Sequence, residues 1–126
     1  MYRAFLFLAI GCIGWSQSGR LRIEPAEQNF GQTTQGTLIK ARFLLINEGK
    51  SPVQIQDIKP SCNCSVLSWE KRAIAPGDSL PVEVAFNTAH KVGRQRKSFS
   101  VISSAENSPT FFFLTGEVLA QSLYGD

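Results

Sequence analysis

Leu80-Pro81-Val82-Glu83-Val84-Ala85-Phe86 is the stretch on which the fold turns. Leu80, Val82, Val84 and Phe86 fall at every second position, with Pro81, Glu83 and Ala85 between them. An extended chain sends alternate side chains to opposite faces, so this run is a strand with one buried face. Proline has no N–H for a ladder, and Pro81 therefore predicts that the strand starts at a sheet edge. Ala75-Pro76-Gly77-Asp78, just before it, has proline at the second corner of a turn and glycine at the third, which suits type II.

The same period recurs in both directions along the chain, and no segment of useful length has a helical period. Leu21-Arg22-Ile23-Glu24 alternates until Pro25. Between Thr37 and Asn47, Ile39, Ala41, Phe43 and Leu45 share one face. Lys40 and Arg42 lie opposite, where Leu44 and Ile46 leave that second face only half polar and predict partial cover. Val53–Gln56, Val66–Trp69, Lys97–Ile102 and Thr110–Thr115 are further strands, punctuated by glycine, proline and asparagine. Asn29-Phe30-Gly31, Gln35-Gly36 and Asn47-Glu48-Gly49 read as turns. Seven strands in about 100 residues is the count of an immunoglobulin-like β-sandwich, with a small barrel as the competing all-β architecture. At 126 residues the chain is long enough for one such domain.

The first residues read as an export signal. Arg3 precedes an apolar run from Ala4 to Trp15, and Ser16-Gln17-Ser18-Gly19 offers small residues for cleavage after Ser16 or Ser18. The expected organisation is a signal peptide over 1–18 and a sandwich over 19–126, located in the periplasm or at the cell surface. The apolar run is shorter than the roughly 20 residues needed to span a bilayer, so no transmembrane span is expected in the mature chain. A second reading makes Ala9-Ile10-Gly11-Cys12 a lipobox with Cys12 as the acylated residue, although alanine stands where leucine is usual.

Loss of Arg3 with the leader leaves 12 of the 13 basic side chains against 10 acidic ones. So balanced a chain has no field for phosphate backbones, and nucleic acid is not an expected partner. Lys91, Arg94, Arg96 and Lys97 surround Gly93 and read as the solvated face of a hairpin.

Chemistry could sit in Lys59-Pro60-Ser61-Cys62-Asn63-Cys64-Ser65. Two thiolates one residue apart can converge on a soft ion such as Cu(I), with His90 as the one further strong nitrogen donor. They can also form a disulfide, but in an extended strand their Cα atoms would be about 6.5 Å apart with the Cβ atoms too far to bridge, so closure needs a bend. Two reduced thiols packing one end of the sandwich are the third possibility. Cys62, Cys64 and His90 are thus the candidate metal or redox residues, and no other cofactor is expected. With one histidine, no paired carboxylates and no phosphate-cradling glycine loop, no catalytic residue stands out and an enzyme is not expected.

Phe30-Gly31, Gln35-Gly36, Phe43 with Asn47-x-Gly49, Ser61-Cys62-x-Cys64, Ile74-x-Pro76-Gly77, Val84-x-Phe86 with Thr88, Gly93, and Leu114-x-Gly116-Glu117-Val118 occur in order. This set resembles a bacterial family of exported domains of unknown function, similar in pattern to Hydin-type and major-sperm-protein-like immunoglobulin folds. The family usually has Ser-Cys-Gly-Cys-Thr where this chain has Asn63 and Ser65. The resemblance implies a seven-stranded sandwich outside the cytoplasm with no established reaction. The expected function is a non-catalytic interaction module that binds a protein or glycan through a sheet edge or end loops. The aromatic run Phe111 to Leu114 is the candidate edge, with Phe111 and Phe113 as its contact residues. The alternative is a thiol-dependent metal or redox site at Cys62 and Cys64.

Overall fold

The computed structural model describes residues 18–61 and 64–121. The proposed leader up to Gln17, Cys12 and Cys62 lie outside the described residues. Eight strands follow in order: β1 Leu21–Glu24, β2 Glu27–Thr34, β3 Leu38–Asn47, β4 Ile55–Pro60, β5 Cys64–Trp69, β6 Ser79–Asn87, β7 Gly93–Ser103 and β8 Thr110–Leu119. They form two four-stranded sheets, β1-β3-β6-β5 and β2-β8-β7-β4. Neighbours are antiparallel except β2, which runs parallel to β8. Among the described residues, no helix is long and apolar enough to cross a membrane.

The expected all-β sandwich is present, but with eight strands instead of seven. The additional strand is β2, Glu-Gln-Asn-Phe-Gly-Gln-Thr-Thr, which the sequence presents as a turn. It carries one large apolar side chain, and a bulge between Asn29 and Gln32 interrupts its period. Its pairing with β8 makes it a strand, and that partner lies more than eighty residues away.

Two edge assignments are also corrected. β6 lies between β3 and β5, so Pro81 is in an interior strand. However, β5 reaches only as far as Val82, and Pro81 has a paired neighbour on the β3 side alone. Its missing N–H is tolerated there for the reason that applies at an edge. The aromatic strand β8 is not an edge either, since β2 and β7 flank it. Phe112 and Leu114 point into the core, while Phe111 and Phe113 face outward.

The two inner faces meet through aromatic rings. Phe43 from the first sheet lies 4.3 Å, centroid to centroid, from Phe112 of the second, and Phe112 stacks on Phe99 at 4.7 Å. Each ring is fully buried and worth about 1.5–3 kcal/mol relative to exposure. On the opposite face of β3, Leu44 and Ile46 are half-buried, in register with Glu24 and Arg22 of β1. The second face of β3 is thus partly covered, as its composition implies.

One end of the sandwich is organised by Asn47, which is fully buried. Its Oδ1 accepts from the Arg20 N–H (3.3 Å) and the Gly49 N–H (2.9 Å). Its Nδ2 donates to the Ser51 and Ile74 carbonyls, both at 2.8 Å. Its backbone N–H donates to the Asp78 carbonyl and its carbonyl accepts from Gly77, inside the turn whose Gly77 has φ 82°. Gly49 is required beside it, because a Cβ there would lie 2.5 Å from the Arg20 nitrogen and the Ser18 oxygen.

The N-terminal strap enters this network at Ser18. The Ser18 carbonyl accepts from Lys50 N–H (2.9 Å), and its hydroxyl donates to Glu106 Oε1 (2.6 Å). Arg20 donates to the other Glu106 oxygen at 3.0 Å. The Ser18 hydrogen bond, then that of Arg20, holds the Glu106 carboxyl below its ordinary range. A leader ending at Ser16 would leave these bonds in place, whereas one ending at Ser18 would remove both bonds made by Ser18 and leave only that of Arg20.

Replacing Asn47 with alanine takes the side-chain acceptor from the Arg20 and Gly49 N–H groups and one of two donors from the Ile74 carbonyl, and is expected to cost about 2–4 kcal/mol in urea unfolding. A chain starting at Gly19 is expected to unfold at lower urea than one starting at Gln17, by about 0.5–1.5 kcal/mol. Because folding lowers the Glu106 pKa, its contribution is present above the unfolded value and is lost as pH falls through the folded one. Wild type and Glu106→Gln should therefore differ in urea midpoint at neutral pH and converge in acid.

Candidate functional site

The sulfur corner lies between β4 and β5. Ser61 fastens it to β7: its N–H donates to the Ser98 carbonyl (2.9 Å) and its hydroxyl accepts from Ser98 N–H (3.2 Å). Cys64 N–H donates to the Ser61 carbonyl at 3.3 Å where the chain passes between sheets. Cys64 then opens β5 opposite Phe86, on the inner face, and packs against the core. His90 sits exposed in the β6–β7 connection with φ 64°. Among the described residues, no group of three or more His, Cys, Asp or Glu side chains is gathered to hold a metal. Cys62, the third member of the proposed set, lies outside the described residues.

The basic cluster divides by period two. Arg94 and Arg96 project from the outer face of β7, whereas Lys97 turns inward, its Nζ 5.2 Å from the centre of the Phe86 ring. The hairpin face is therefore carried by the two arginines and not by all four cations.

Those arginines border a cleft of about 510 Å³ on the outer face of the β2-β8-β7-β4 sheet. Glu27 and Asn29 of β2, Arg94 and Arg96 of β7, and Thr115 and Glu117 of β8 contribute the polar walls. Register brings them together: Asn29 and Arg96 flank Thr115, while Gln32 and Arg94 flank Glu117. Arg96 pairs with Glu27 at 3.3 Å and lies over the Phe113 ring, 3.9 Å from its centre. Gln32 Nε2 donates to Glu117 Oε1 at 3.1 Å. Among the described residues, the Arg94 guanidinium has no hydrogen-bond or ion-pair partner. Two residues beyond Phe113 toward the start of β8, Phe111 stands on the same face, 47% exposed.

The bulge in β2 sets this geometry. Gly31, at φ 81°, donates its N–H to Asn29 Oδ1 at 2.6 Å. The irregularity lets Phe30 turn inward, toward the Phe86 ring at 6.1 Å, while Asn29 and Gln32 line the cleft. Phe30 occupies the space a side chain on Gly116 would need, since a Cβ there would lie 2.4 Å from its ring. The sequence carried a trace of this cleft in the alternating polar positions Glu27/Asn29, Arg94/Arg96 and Thr115/Glu117. Nothing in the sequence joined the three pairs, because Glu27/Asn29 borders a stretch that reads as a turn and lies far along the chain from the other two.

The family model for proteins of unknown function DUF1573 matches residues 21–118, from the first residue of β1 to the penultimate residue of β8. No curated protein is a significant match. Among solved structures, a protein of unknown function from Porphyromonas gingivalis W83 superposes with a TM-score of 0.66 at 16% identity, over 85% of this chain and 50% of that one. This chain thus spans half the length of that protein. The PapD-like domain 7 of human CEP192 superposes at 0.58 with 14% identity, over 83% of this chain and 89% of that domain. A family 123 glycoside hydrolase from Clostridium perfringens superposes at 0.62 with 13% identity, over 76% of this chain and 23% of the enzyme. At these identities the likeness is one of fold, an immunoglobulin-like and PapD-like sandwich.

Gly116→Ala is expected to destabilise by about 1–3 kcal/mol through overpacking against Phe30. Combined with Phe30→Ala, it should cost clearly less than the sum of the two single changes, as a double-mutant cycle in urea would read.

Proposed function

The chain belongs to the DUF1573 family of proteins of unknown function, and we propose that it is an exported, non-catalytic binding module that holds its partner against the outer face of the β2-β8-β7-β4 sheet. The observation that carries this reading is Phe111. It is a large aromatic ring, 47% exposed, on a strand whose neighbouring side chains fill the core. An exposed ring beside the Arg96–Phe113 stack and a polar cleft has the composition of a recognition surface, in which aromatic residues and arginine are enriched. Paired strands on both sides of β8 support contact through the sheet face in preference to strand addition along it. The charged, apolar and small-residue pattern from Arg3 to Ser18 supports delivery to the periplasm or cell surface.

Hydroxyl-radical footprinting tests this with any class of partner. In intact native cells, Phe111 and Phe113 should be protected relative to the purified protein, while exposed Leu67 and Val92 react equally in both. Equal labelling of Phe111 in the two samples would rule the outer face out as the contact surface.

A further inference from the structure

We propose that the cleft bounded by Glu27, Asn29, Gln32, Arg94, Thr115 and Glu117 binds a neutral linear oligosaccharide; this rests on the outer face being the binding surface. Charge is the first argument. Two arginines and two glutamates line the cleft, their formal charges cancel, and Arg96 is already paired with Glu27. A carboxylate or phosphate ligand would meet two carboxylates as it approached the arginines, so an uncharged ligand is favoured.

Hydrogen-bond capacity is the second. Glu117 engages Gln32 through one oxygen, which leaves the other to accept. Asn29 uses its carbonyl oxygen on the Gly31 N–H and keeps its amide donors. Arg94 retains all its donors, and the Thr115 hydroxyl reaches only a distant carbonyl, Gln28 at 3.5 Å. Donors and acceptors therefore alternate across three adjacent strands, with centres spaced about 5 Å between strands. Sugar hydroxyls each donate and accept, and they occur in closely spaced sets that match such a lattice.

Peptide ligands fit less well. Their usual docking modes need an unpaired strand edge, an apolar groove or a one-signed cluster. The cleft is polar and charge-balanced and is centred on β8, which is paired on both sides, while the bulge in the edge strand β2 blunts strand addition there. Phe111 completes the site. It is four residues from Thr115 on the same face, about 14 Å along the strand, and presents an apolar surface for the C–H face of a sugar ring. That separation asks for several linked sugars.

The test uses isotope-labelled protein, with the processed form from native cells defining its N-terminus, titrated with cellotetraose, chitotetraose and mannotetraose, and separately with tetragalacturonate. At least one neutral tetrasaccharide should shift the amide signals of Asn29, Gln32, Arg94, Thr115 and Glu117, and should bind more tightly than its monosaccharide. Arg94→Ala and Thr115→Val, neither of which removes a core contact, should each weaken binding by about tenfold, with the remaining spectrum unchanged. No shift with any neutral tetrasaccharide at millimolar concentration would overturn the assignment, as would binding that both variants leave intact. Salt-sensitive binding of tetragalacturonate alone would also overturn it. If footprinting protects Phe111 while no tetrasaccharide binds, the outer-face reading stands, its partner is a protein, and the glycan assignment alone fails.

Discussion

The Asn47 side chain is the constraint on which the architecture depends. A buried amide with two donors and two acceptor positions must satisfy all of them or destabilise its surroundings. Asn47 does so by joining three separate stretches: the strap at Arg20, its own loop at Gly49 and Ser51, and the Ile74 carbonyl before β6. Its backbone adds the Gly77–Asp78 turn. These bonds fix where β3 ends and how β6 begins, and so set the register of the central pair of the first sheet. Aspartate would lose two donors there, and leucine would fill the volume while leaving the Arg20 and Gly49 N–H groups without their acceptor.

At the other end, a second constraint is steric. Phe30 needs room under β8, and Gly116 provides it by having no side chain. The bulge at Gly31 lets one strand place Phe30 inward while Asn29 and Gln32 line the cleft. Core packing and the polar cleft are thus coupled: the residue that closes the hydrophobic interior at this end also positions the outer wall of the cleft. Placing the recognition surface on a sheet face has a further consequence. The central strand beneath it, β8, is held by neighbours on both sides, so the surface is preorganised, which lowers the ordering cost of binding.

The sulfur corner is positioned differently. Ser61 ties it to β7, and Cys64 starts β5 with its side chain against the core. Cys64 therefore contributes packing as well as any chemistry. His90 belongs to a separate, exposed turn between β6 and β7.

Alternation alone determined much of this protein. It identified Leu80–Phe86, the inward face of β3 and the sandwich class, because period-two burial is a local property of an extended chain, and turn chemistry at Pro76-Gly77 added the type II turn. Asn47-x-Gly49, Phe30-Gly31 and Gly116 were visible as punctuation, yet their physical roles were not, since each depends on a partner distant in sequence. Only the tertiary structure decided that β2 is a strand, that β8 is interior and that Pro81 lies beyond the end of its neighbour. The same holds for the cleft, whose walls come from three strands that become adjacent through a parallel pairing. Side-chain direction is written residue by residue, whereas adjacency is set by which strands pair and in what register. Pairing is a competition across the whole chain, and no single segment encodes its outcome.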